Sequence, residues 1–431
     1  MLKIVGLLTA VLLSAAAAGW IPLAPDDLPA PPSGRPVEDG GCMAYDAVTD
    51  LIFASKGNET GDFYAYDVNA WTWLTKTGIP LGAEGEQVHE GSVICSDANG
   101  RLYLTKGNNT VGFWVYDAMT GWKPLKNVPL EPSGENVNEG AGLAFAYSDG
   151  VGYVYLLKGH LNEFYRYDPV YDRWTPLDDA PGAHKHWGAG SWLVSDPRPG
   201  SHTLYAFNAK YHELYTYDTD AEEWNYTAKA QMPFKCDHGN NIKAKEGSCA
   251  AWYDGYIYAL KGNNTTEFWR YDPLPPPGGE WLEQDRIPPG SPPTTVGAGG
   301  ALAGRPGTGV YALKGNNTLE FWRFTPDGKA GAPPRREGIM AGSSEIGSVS
   351  FAIGPNPLSG GLATVRYGLP KAGAAELSVY NVAGQRVIAK TLALGRSGCV
   401  SLDLRQMAGG VYLVKLQSQD FTTTQKLVVQ H

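Results

Sequence analysis

The sequence predicts an all-β protein, a six-bladed β-propeller followed by a small immunoglobulin-like β-sandwich, on three observations. The first is a phrase that recurs six times, clearest as Lys261-Gly-Asn-Asn-Thr-Thr-Glu-Phe-Trp-Arg-Tyr-Asp272. Its copies close at Asp67, Asp117, Asp168, Asp218, Asp272 and Thr325, at intervals of 50 to 54 residues, which is the period of propeller blades. The second is that each interval holds four short β patterns separated by turn residues. The third is a change of character after Thr325. Pro, Gly, Ala and Arg dominate residues 327–346, and short alternating strands then resume to the end of the chain.

Taken in order, the first 18 residues read as a secretory signal. Lys3 supplies the positive start, Ile4 to Leu13 the apolar core, and Ala16, Ala17 and Ala18 the small residues at which cleavage occurs. The apolar run is shorter than the ~20 residues a membrane span needs, so no span is expected after cleavage. Each blade then begins with an inner strand of small apolar residues, such as Gly91 to Ser96, and turns at Asp97 to Gly100 or at Asp254 and Gly255. An aromatic-rich second strand follows, Leu102 to Lys106 or Ile257 to Lys261. A Gly-Asn-Asn loop reverses the chain, because Gly and Asn tolerate positive φ. The third strand is Phe-Trp-Arg-Tyr-Asp or a variant, and the fourth starts at Trp73, Trp122, Trp174, Trp224 or Trp281. The sixth copy lacks that Trp. Trp20-Ile-Pro-Leu23 with Leu28 and Pro29 matches the fourth-strand pattern of Trp122-Lys-Pro-Leu125 with Val128 and Pro129, so the N-terminal strand is expected to complete the last blade and remove the open sheet edges.

In these features residues 19–326 resemble the kelch family of β-propellers: a paired aliphatic and aromatic strand, then Tyr-Asp, then Trp about six residues later, as in Tyr167, Asp168 and Trp174. The family's Gly-Gly doublet is replaced by Lys-Gly at Lys56, Lys106, Lys158, Lys261 and Lys314, and the fourth copy reads Asn208-Ala-Lys210. The resemblance implies the fold; propellers host both enzymes and binding scaffolds.

Residues 347–431 hold short strands, among them Ala363 to Tyr367, Glu376 to Tyr380, Arg386 to Lys390, Cys399 to Leu404, Gly410 to Leu416 and Thr422 to Val429, which suit a sandwich of about seven strands. This segment resembles the C-terminal sorting domain of the bacterial type IX secretion pathway, type A. The residues that carry the resemblance include Asn356, Pro357, Gly384, Gln385, Gly410, Tyr412 and Lys426. It implies the secretion machinery as partner, through residues 347–431, and a protein that is released or attached to the outer-membrane surface. The other reading is an ordinary immunoglobulin-like accessory domain, which needs the same alternation.

Net charge of −9 argues against a nucleic-acid partner, which requires a basic field. Of five cysteines, Cys236 and Cys249 are the expected disulfide, while Cys42, Cys95 and Cys399 read as small buried hydrophobes. The Gly-Asn-Asn loops and the loops between blades are expected to share one rim. That rim carries His89, Asn136, Asn138, His184, His186, Trp187, Asp237, His238 and Asn240, groups that stack on and hydrogen-bond a glycan or a protein loop. The five repeated lysines are expected to encircle the channel mouth and to pair with Glu90, Glu139 and Glu246, with Gly40, Ala189 and Ala298 at the matched position of the other blades. No catalytic group, metal site or cofactor is nominated: His184 and His186 lack an evident third ligand, and no unique acidic pair stands out. The expected function is that of an exported, non-catalytic binding or adhesion module; the alternative is a propeller enzyme acting on polysaccharide or glycoprotein.

Overall fold

The computed structural model describes residues 19–326 and 350–429, apart from 24–26, 83–84, 98, 183–185, 236–238, 240, 275–277, 355–361, 369–372, 383–384, 395–396, 406 and 418–421. The expected signal (1–18) and linker (327–346) lie outside the described residues, as do His184, Asp237, His238, Asn240, Asn356, Pro357 and Gly384. The described chain forms two compact units on either side of Arg335.

In the first unit, six four-stranded antiparallel sheets follow one another along the chain. Blade one is Cys42–Asp46, Leu51–Ser55, Phe63–Asp67 and Thr72–Thr75. The inner strands touch in ring order, and the inner strand of blade six, Ala301–Arg305, touches that of blade one. Blade six has only three strands from its own stretch of chain; Gly19–Pro22 supplies the fourth, antiparallel to Phe321–Thr325, with Trp20 opposite Phe324. The N-terminal strand thus forms the outer edge of blade six.

The repeated aromatic residues are the cement between blades. Phe63 of blade one sits 5.1 Å from Tyr116 and 4.9 Å from Trp122 of blade two, ring centre to ring centre. The same triad recurs as Phe113 with Tyr167 and Trp174, and as Phe164 with Tyr217 and Trp224. Between blades five and six Phe268 meets Phe324 and the N-terminal Trp20, and Phe321 returns to Tyr66 and Trp73 of blade one. Edge-to-face pairs of this kind add about 0.5–1.5 kcal/mol each beyond their buried area. Each indole also donates to a carbonyl of the preceding blade's connection: Trp122 to Thr77, Trp174 to Lys126, Trp224 to Asp178, Trp281 to Ala230 and Trp20 to Asp285, all at 2.7–3.0 Å. The Asp that closes the third strand caps the next turn, as where Asp67 accepts from the Asn69 and Ala70 amides.

Among its described residues the second unit has seven strands. Ser350–Gly354, Leu362–Gly368 and Ser397–Asp403 form one sheet; Arg386–Leu394, Gly373–Asn381, Gly410–Gln417 and Thr422–Val429 form the other. Ala363, Val365 and Leu402 from the first sheet share one core with Leu377, Val414 and Leu427 from the second. The strand Ser350–Gly354, beside the linker, adds to the six whose residues the alternation marks. Cys42, Cys95 and Cys249 are free thiols, so the disulfide expected at Cys249 is not formed; Cys236 lies outside the described residues.

Candidate functional site

The Lys-Gly-Asn-Asn loops fold because three successive residues adopt left-handed φ. In blade two these are Gly107, Asn108 and Asn109 at 60°, 51° and 54°, and blades five and six repeat them at Gly262 to Asn264 and Gly315 to Asn317. A Thr closes each loop by donating its hydroxyl to the Gly carbonyl, as Thr110 does to Gly107 at 2.8 Å. It then bridges to the next blade's incoming segment: Thr60 to Val88, Thr110 to Val137, Thr265 to Val296 and Thr318 to Val37. The first Asn is used up by the fold, since the amides of Asn58, Asn108, Asn263 and Asn316 donate to Pro36, Gln87, Lys243 and Thr295 carbonyls. The residue after it, Glu59, Asn109, Asn264 or Asn317, is exposed.

Inside this crown lies the channel mouth. The amides of Asn58, Asn108, His160, Asn263 and Asn316 donate at 2.8–3.0 Å to the carbonyls of Asp39, Glu90, Glu139, Glu246 and Ala298. With Ala189 in blade four, these residues form a ring around an axial channel of about 190 Å³, lined by five consecutive residues from every blade. Each is followed by a glycine at φ 78–84°: Gly40, Gly91, Gly140, Gly190, Gly247 and Gly299. A Cβ at any of these six would lie 1.9–2.3 Å from a carbonyl oxygen of the next blade. No other residue fits, and that close approach brings the six ring residues together.

The mouth is therefore acidic, and the lysine ring expected there is absent. Lys56, Lys106, Lys158, Lys261 and Lys314 are wholly buried beneath the rim. Their partners are Asp62, Glu163, Glu267 and Glu320, five or six residues further along, at 2.9 Å for Lys56–Asp62 and 2.8 Å for Lys158–Glu163 and Lys261–Glu267. Glu90, Glu139 and Glu246 play no part in these pairs. The ammonium groups also hold the connection between blades, as Lys56 donates to Ala30 O at 2.6 Å and Lys261 to Phe234 O at 2.9 Å. Lys106 faces Gly112 where the others have an acid, and donates to the Pro80 and Glu86 carbonyls instead; burial lowers its pKa, as it does that of Lys314. Blade one's ring residue is Asp39, one position before the expected Gly40. The partner acid was legible, because Glu267 lies inside the defining phrase.

Of the expected rim residues, His89 and Asn138 stand directly before Glu90 and Glu139 at the mouth, and Asn136 is half-buried two residues further out. His186 is exposed, its Nδ1 3.0 Å from His160 O. Trp187 is fully buried between blades three and four, with its indole N–H on Pro181 O, so it belongs to the core and not to the rim surface. Asp39 is half-buried, and its carboxyl is held above the usual range, chiefly by burial, with Glu38, Glu246 and Glu139 adding to the effect and His89 opposing it. Glu246 pairs with the exposed Lys245. Donor atoms of Asp39, His89 and Glu90 lie within 4.8 Å of one another.

In the C-terminal unit the Gln385 amide donates to Asn381 Oδ1 at 3.0 Å, closing the turn between two strands. The hydroxyl of buried Tyr412 donates to Ala408 O at 2.8 Å; Gly410 pairs with Val429 and exposed Lys426 with Leu413.

Residues 352–430 match the family described as the secretion system C-terminal sorting domain. The chain thus carries a type IX sorting domain. That assigns it to export from a bacterial cell, released or attached at the surface, and implies contact with the secretion machinery. No curated protein matches the chain in sequence. Among solved structures it is similar to YjhT at 12% identity and TM-score 0.45, covering 67% of this chain and 94% of that one. It is also similar to an auxiliary nutrient binding protein from Bacteroides thetaiotaomicron at 12% identity and TM-score 0.47, covering 70% and 72%. Among the described residues no helix is long and apolar enough to cross a membrane.

Proposed function

We propose that this exported propeller is a non-catalytic binding or adhesion module that takes a carbohydrate or protein ligand on the face carrying the channel mouth. One observation carries the reading: in blades one, two, five and six the exposed residue after the first Asn of the loop, Glu59, Asn109, Asn264 or Asn317, stands outside a ring of carboxylates at Asp39, Glu90, Glu139 and Glu246. Amide and carboxylate groups around the mouth suit hydroxyl and amino groups of a ligand better than apolar ones. The Phe, Tyr and Trp triads between blades support the kelch-like reading of the repeats. Export by the sorting domain is consistent with a ligand among surface glycans or proteins.

The test is binding of the chain from residue 19 onward to a glycan array and to immobilised surface proteins, with product analysis of every hit. Asn109, Asn264 and Asn317 are replaced together by Gly, which removes the amides and suits positive φ. Retention without turnover, lost in the triple variant, supports the reading. Retention that survives the replacement moves the ligand to another face, and released product identifies the enzyme alternative.

A further inference from the structure

We infer that Asp39, His89 and Glu90 form a binding site for a divalent transition-metal ion, of the Zn²⁺ class, on the blade-one side of the channel mouth. The three side chains come from two blades and converge because of the backbone. Gly40 leaves room for His89 O at a distance where any side chain would clash, which seats Asp39 of blade one against His89 and Glu90 of blade two. His89 N donates to Lys106 O, Ser92 N to His89 O, and Asn108 N to Glu90 O, so the two blade-two ligands stand on a hydrogen-bonded frame. The Asn58 amide holds Asp39 in the same way.

One nitrogen and two carboxylate oxygens within 4.8 Å of one another are close to the spacing of a shared ion. Zinc bonds of ~2.0–2.2 Å put ligand atoms about 3.4 Å apart in a tetrahedron, a closure that half-buried side chains reach by small rotations. The donor set selects the metal. Imidazole suits Zn²⁺ and its neighbours, whereas Ca²⁺ and Mg²⁺ prefer all-oxygen shells. Three protein ligands leave a coordination position open, the pattern of zinc sites that take a further donor from water or a ligand.

Charge points the same way. Elsewhere in the propeller, buried carboxylates have a partner, as Asp62 has Lys56 and Glu267 has Lys261. Among the described residues, no Lys or Arg forms an ion pair with Asp39, Glu90 or Glu139. Glu139 and Glu246 line the same mouth and add to the field that holds a cation there.

The site does not depend on what the rim recognises, so it is tested with metal alone. The chain from residue 19 onward, produced without a polyhistidine tag and stripped with chelator, is titrated calorimetrically with ZnCl₂ and separately with CaCl₂. One equivalent of Zn²⁺ is expected, in preference to Ca²⁺. His89→Gln, Asp39→Asn and Glu90→Gln should each weaken Zn²⁺ by at least about tenfold, the lower bound for disturbing a metal shell. Glu223→Gln, at an exposed position on the outer strand of blade four, should change affinity by less than about threefold, on the general ground that exposed charges act weakly. Tryptophan fluorescence confirms that each variant is folded. No stoichiometric uptake, or uptake unchanged in folded His89→Gln, overturns the inference; Ca²⁺ bound as tightly as Zn²⁺ also overturns it, by showing a site built from carboxylates alone.

Discussion

Acidification from about pH 7 to about pH 4 should cost the propeller about 3 kcal/mol through His212 alone. This histidine is wholly buried in blade four, in the loop after Asn208, which stands where the other blades carry their lysine. Its Nδ1 lies 3.0 Å from Met232 O, its Nε2 accepts from the Ala244 amide at 2.7 Å, and its ring stacks 4.0 Å from Phe234. Those contacts require the neutral ring with its proton on Nδ1, because a proton on Nε2 would face the Ala244 N–H. Burial pulls the pKa down to about 4, against 6.5 in the unfolded chain. Between those values the unfolded chain takes up a proton that the folded chain refuses. The contribution is therefore complete above pH 6.5 and is lost as pH falls toward 4, at about 1.4 kcal/mol per pH unit. The assay is urea unfolding of the wild-type chain and of His212→Gln at a series of pH values. It is followed by tryptophan fluorescence, since all 13 tryptophans lie between Trp20 and Trp322. Gln both donates and accepts but does not titrate. The wild-type advantage over the variant should shrink by about 3 kcal/mol across the range; an advantage that stays constant refutes the reasoning.

Three further outcomes follow from the packing. Lys158→Met should lower stability by about 3–5 kcal/mol by leaving Glu163 buried without its partner, and adding Glu163→Leu should recover most of the loss in the same urea assay. Gly247→Ala should prevent the native ring from forming, because its Cβ would lie 1.9 Å from Gly297 O, whereas Gly255→Ala, with open space around it, should cost only about 1–2 kcal/mol for positive φ; circular dichroism and unfolding curves separate the two. Trp224→Ala should cost about 3–5 kcal/mol, since the indole is buried against Phe164 and bonded to Asp178 O.

The fold was legible because every blade meets the same packing problem. Phe, Tyr and Trp must recur to fill each wedge, and the missing Trp of blade six was matched by Trp20. The rim was harder to read. Its residues occupy turns, where no alternation reports which way a side chain points, so Trp187 was grouped with the polar loop around it although it fills the core. The lysines were placed at the channel because charge suggests exposure, while the acid six residues on, Glu267 after Lys261, was not recognised as the partner that allows burial. The ring in blade one was missed by one position: Gly40 satisfies the glycine requirement of the next position, and Asp39 precedes it. In the C-terminal unit, the strand at Ser350 begins where the linker composition has only just ended.

The closing strand gives the ring a timetable. Trp20 must wait for Phe324, roughly 300 residues later, before it has a partner to lie against. A chain emerging from its N-terminus holds its first strand unpaired while five blades are laid down. The circle is completed only when the last blade arrives, shortly before, in chain order, the segment that carries the export address. Tension applied to the two ends of the propeller would pull on the same sheet, so the lock that is made last is also the one that a surface-tethered molecule would strain first.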